Sequence, residues 1–106
     1  MIYVVATIEL HAGRRDAFLA AQRDLLPRVR AEQGCLEYVP SIDVALSDPP
    51  KKPLRENVVM MHEKWESLDT LKAHSTAPHM QEFREKVQPM VERTTVEVFE
   101  AVEEKG

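Results

Sequence analysis

The chain predicts an α+β fold, one four-stranded sheet with helices gathered on one side of it, and three observations predict it. Apolar residues alternate at period two from Ile2, again from Val58 to Trp65, and again near the C-terminus, as half-buried strands require. Between these runs, Phe18, Ala21, Leu25 and Val29, and later Met80, Phe83 and Val87, recur at three- and four-residue spacing, the mark of amphipathic helices. The resulting order, β-α-β-β-α-α-β, is that of the split βαβ or ferredoxin-like arrangement.

With 106 residues the chain is read as a single domain spanning 1–106, large enough for one adequate core. Its 43% hydrophobic and 30% charged residues exclude wholesale disorder. Fourteen basic residues against 18 acidic ones leave a net charge of -4, which sets aside nucleic acid and anionic membrane surfaces as partners. A single cysteine, Cys35, permits no internal disulfide and points to a reducing compartment, hence the cytoplasm. The apolar run 2–6 is too short to span a bilayer and lacks the basic lead-in of a signal peptide.

In order, the first strand places Ile2, Val4, Ala6, Ile8 and Leu10 on one face. Tyr3 and Val5 make its other face apolar at one end, which calls for cover from a second subunit. A helix follows over about 14–32, with Pro27 expected to kink or break it and Gly34 to end it in a left-handed conformation. Residues 35–46 read as a second strand region, where Pro40 implies a bulge or an edge position. Residues 47–53, rich in proline, form a surface loop. After the third strand, Ser67 is placed to cap a short helix with Leu68 and Leu71 inward, and Pro78 to start another that stops near Pro89. A last strand over 94–102 closes the chain, followed by a frayed end. Helices on one sheet face leave the other bare and apolar, so two sheets facing each other in a homodimer are expected.

The chemistry concentrates in the third strand and the helix after it. Alternation puts Val59, Met61, Glu63 and Trp65 on one face of the strand, so a carboxylate and an indole leave the same oily side. His74 lies three residues beyond Leu71 and brings a titratable ring toward them. No metal is expected: His62 and Glu63 point to opposite faces, and Pro78 separates His74 from His79. With three scattered glycines, no phosphate-cradling loop is present.

Three clusters carry a likeness over nearly the whole chain: Gly34-Cys35 with Tyr38 and Pro40; Glu63-x-Trp65-Glu66-Ser67; and His74-x-x-x-Pro78-His79-Met80. Together they resemble the antibiotic-biosynthesis monooxygenase family, more narrowly its small bacterial quinol monooxygenases. The loop at 47–53 is longer than that pattern needs. The first strand carries Thr7 and no asparagine, unlike the haem-degrading relatives. The resemblance implies a dimeric α/β barrel with a pocket in each subunit, acting on a small aromatic substrate and O2 with no cofactor. A deprotonated hydroquinone is electron-rich enough to reduce oxygen, so the protein need only bind it, take its proton and steady the charge.

On that reading His74 is the base, since an imidazole titrates near ~6.5. Glu63 orients it or accepts a hydroxyl proton, and Trp65 stacks on or walls the ring, with Met61, His79, Phe83 and Tyr38 completing the pocket. Each residue also has a plainer reading. Trp65 suits a core aromatic, Glu63 a salt-bridged strand end, His74 a helix C-terminal residue, His79 a helix start or interface residue, and Tyr38 a packing residue. The same residues also suit an isomerase that shuttles a proton without consuming oxygen, or a non-catalytic dimeric ligand-binding or stress-response barrel.

Overall fold

In the computed structural model, which describes residues 1–102, four strands and three helices follow one another as expected. They are β1 (Ile2–Leu10), α1 (Arg15–Arg30), β2 (Cys35–Ser41), β3 (Val58–Trp65), α2 (Leu68–Ser75), α3 (Pro78–Val87) and β4 (Val91–Glu100). The sheet is antiparallel throughout with order β2-β3-β1-β4. Both central strands, β1 and β3, therefore supply the floor of whatever lies under the helices.

Register fixes which side chains form that floor. Val4 pairs with Glu63, Ala6 with Met61 and Ile8 with Val59, so the alternate residues of the two strands share the helix-covered face. All of these are buried. From above, α1 lowers Phe18, Ala21, Leu25 and Val29 onto the sheet, and α3 adds Met80 and Val87. Phe18 and Phe83 meet edge to face with ring centroids 5.7 Å apart, joining α1 to α3. Burial of each such large apolar side chain contributes about 1.5–3 kcal/mol.

Several local expectations are revised. Pro27 neither breaks nor ends α1, which runs on to Arg30. Its missing N–H removes one helical bond, that to the Arg23 carbonyl four residues back, and the last turn continues beyond it. Gly34 is left-handed, φ +80°, but in the turn into β2 rather than at the helix end. Its carbonyl accepts from Glu66 N at 2.9 Å, and Thr70 packs where a Cβ would stand. The edge position expected from Pro40 holds, β2 being an edge strand, and the strand's irregularity falls between Cys35 and Glu37.

The second strand region does not reach residue 46. Asp43 instead accepts from Arg55 N, Nε and Nη2 at 2.8–2.9 Å, a clip that draws the loop ends together and leaves Val44 and Leu46 exposed. In α2, Ser67 and Thr70 form a reciprocal cap, but Leu68 faces outward and Leu71 alone packs inward. A 3-10 turn over Gln88–Met90 stops α3 at Val87, so β4 begins at Val91, earlier than the alternation suggested.

The helix-free face is less uniformly apolar than its first residues implied. Tyr3, Val39 and Phe99 are exposed there, yet Thr7, Glu9, His62, Lys64, Arg93 and Glu97 share it by register. β4 is the other edge, and Val96 and Val98 on its helix side are exposed as well.

Candidate active site

Between sheet and helices lies a cavity of about 400 Å³, lined on one flank by Val91, Thr94 and Val96 of the edge strand β4. Its floor is Val4, Ala6, Ile8, Met61 and Glu63; α1 contributes Phe18 and Gln22, α2 contributes Leu71 and His74, and α3 contributes Phe83. Such a volume lies at the small end of ligand pockets, suited to one aromatic molecule. Most of the lining surface is apolar, and the polar side chains set into it, Arg84 among them, decide what it can do.

Glu63 is one of these. Strand alternation aims it inward, and Trp65, two residues on and on the same face, donates Nε1–H to its Oε1 at 3.0 Å. Burial raises the carboxyl above its ordinary value, while the Trp65 hydrogen bond and the nearby His74 act in the opposite direction. The result is a carboxyl whose charge is costly in place and is steadied by a single indole N–H.

His74 is the second. The Ser67–Thr70 cap sets the start of α2, and six residues after Leu68 the helix turns His74 into the core, where it is 5% exposed. Its ring lies 4.6 Å from the Trp65 ring and 5.5 Å from that of Tyr38. Nδ1 lies 2.9 Å from Oε2 of Glu32, a residue just past α1. A carboxylate on one ring nitrogen fixes the imidazole's orientation and favours the tautomer with its proton there, leaving Nε2 as the basic position. That same Oε2 also meets His79 Nε2 at 2.8 Å, so one carboxylate ties α2 and α3 to the end of α1.

The expected residues are thus distributed unevenly. Glu63, His74, Met61, Phe83 and Tyr38 all line the cavity. Trp65 does not: it is fully buried beside Glu63 and His74, and its ring packs against the imidazole at a tilt of 38° instead of walling a ligand. His79 is also outside, in a shallower depression with Phe83 between α1 and α3. Tyr38 is buried and its phenol is pushed well above the usual range by desolvation, then by Glu63, which keeps it neutral. Cys35 is not a lining residue, and burial followed by Glu32 raises its thiol, which opposes a nucleophilic role.

Two residues of consequence were not foreseen. Glu32 comes 42 positions before His74, and no local pattern links them. Gln22 is legible in retrospect: it falls on the buried stripe of α1, four residues after Phe18 and three before Leu25, as the only polar member. No group of three or more His, Cys, Asp or Glu side chains among the described residues is placed to hold a metal ion.

Comparison with known proteins places the chain in a family. The family model for antibiotic biosynthesis monooxygenase matches residues 1–86, and the chain belongs to that family. Its curated relatives include the Escherichia coli K12 protein named probable quinol monooxygenase YgiN, 31% identical over 102 residues, covering 94% of this chain and 97% of YgiN. Among solved structures, SO0527 of Shewanella oneidensis superposes with a TM-score of 0.75 at 27% identity, covering 92% of this chain and 87% of the other. PA3566 of Pseudomonas aeruginosa shares the fold with a TM-score of 0.79 at 22% identity, over 96% and 94% of the two chains. Membership in this family and the names of its relatives support a monooxygenase-type role.

Proposed function

We propose that the cavity binds a hydroquinone or related small phenolic and that the protein oxygenates it with O2 without a flavin, haem or metal. The observation that carries this reading is His74, which lines an apolar hollow while Glu32 occupies its Nδ1. His74 Nε2 takes a hydroxyl proton from the bound quinol. The quinolate then passes an electron to O2, the two radicals join at a ring carbon, and water leaves. One oxygen atom enters the ring and the other departs as water, so a quinol and O2 give a hydroxyquinone and H2O. Glu63 serves as a proton acceptor beside the same ligand, and Trp65 and Glu32 are positioning residues that hold Glu63 and His74. The name of the relative YgiN supports a quinol as the substrate class.

A homodimer belongs to this proposal. On the helix-free face Tyr3, Val39 and Phe99 are exposed, so a second copy set against that face of the sheet would shield them. The single cysteine supports a reducing compartment such as the cytoplasm, and no helix of the described residues is long and apolar enough to cross a membrane.

Oxygen uptake by metal-free, flavin-free protein with a panel of reduced quinones tests the reading. His74→Ala should lower turnover by about 100-fold or more, the usual contribution of a general base. Undiminished turnover in that variant, or product formed equally without oxygen, removes the proposal; the second result points to isomerisation.

A further inference from the structure

The buried polar groups of the cavity are satisfied one by one until Gln22 is reached. Glu63 has the Trp65 indole and His74 has Glu32. Gln22, 1% exposed on the buried stripe of α1, turns its Nε2 toward Met61 Sδ at 3.3 Å. Its Oε1 is buried and meets no donor among the described residues, while the amide acts as a donor toward the nearby Tyr38 phenol. A buried amide oxygen without a donor is costly, and an apolar residue at this place on the helix would pack as well. Thioether sulfur is a weak acceptor and cannot donate, which keeps the N–H end on Met61 and the carbonyl end available.

We infer that Gln22 Oε1 is the acceptor for a second hydroxyl on the substrate ring, and so selects an aromatic diol over a mono-phenol or an oxidised dione. This inference rests on the quinol reading above and narrows its substrate class. A hydroxyl held by Gln22 completes the amide's hydrogen bonding, whereas an ether or a quinone carbonyl brings a second acceptor against the first and leaves both unpaired. The site thereby prefers the reduced diol over the corresponding unsubstituted quinone. Gln22 touches the ligand and not the reacting carbon, so its role is in binding and specificity.

Anaerobic calorimetry separates this from the parent proposal, because it requires no turnover. Wild-type protein is titrated with the three benzenediols, each paired with its monomethyl ether, and with benzoquinone. At least one diol should bind about tenfold tighter than its ether, the scale of one buried hydrogen bond. Gln22→Leu should reduce that ratio to within about twofold without weakening the ether, and Gln22→Met, which matches the length of the side chain, should do the same if the leucine variant folds poorly. Survival of the diol preference in the folded variant overturns the inference even if quinol oxygenation stands. No diol preference in wild-type protein overturns it also, and failure of every phenol to bind removes both readings.

Discussion

A glutamate, a histidine and a tryptophan near one end of β3 illustrate how little of a residue's chemistry its own type decides. Burial raises the Glu63 carboxyl above its ordinary value and Trp65 opposes this with one hydrogen bond. The sign for stability follows: a carboxyl raised above 4.5 on folding stabilises the native state below that value, and this contribution fades as pH rises through its folded pKa. Glu63→Gln removes the titration, so its stability relative to wild type should improve as pH rises above 4.5 and level off once the folded carboxyl has ionised, read by urea unfolding. A difference that stays flat across that range would show the carboxyl to be unperturbed. At this scale the inward direction of Glu63 and Trp65 was legible, since alternation alone sets it. That Trp65 faces His74 rather than the cavity was not, because it depends on how α2 docks. Glu32 was hidden for the same reason, its partners lying on two other elements.

At the scale of elements, the order and type of all seven were readable from periodicity, and the revisions came where a side chain at the boundary outweighed it. Asp43 pulled the chain off β2 toward Arg55, and its carboxyl is held well below the usual range by that guanidinium. The joint of α1, β2 and α2 is set by Gly34. A methyl group there would overlap Thr70 Cγ2 and stand 2.6 Å from its Cβ, while the backbone keeps φ +80°. Thr70 is also half of the cap that starts the helix bearing His74. Gly34→Ala should therefore cost about 2–3 kcal/mol, adding the left-handed penalty to a lost cap. The midpoint of denaturation measures it; a loss under about 0.5 kcal/mol would mean that the turn and Thr70 yield freely.

Across the whole molecule, the radius of gyration of 15.1 Å exceeds the ~13 Å of a self-contained domain of this length. Extents of 42 × 38 × 21 Å describe a plate, one sheet under one helical layer, with Tyr3, Val39 and Phe99 exposed on its lower side. The sequence indicated this bare face through β1 but overstated how greasy it is, because the polar residues arrive from β3 and β4. Light scattering should give twice the chain mass, and Phe99→Asp should shift the population toward monomer with β-sheet content retained. A wild-type monomer at micromolar concentration would leave the proposed pairing without support.

The chain contains one tryptophan, and its ring sits 4.6 Å from that of His74, out of reach of solvent. An imidazolium draws an electron from an excited indole far more readily than a neutral imidazole does. The protein thus carries a built-in lamp whose brightness tracks the proton on its proposed base, readable without label, substrate or turnover.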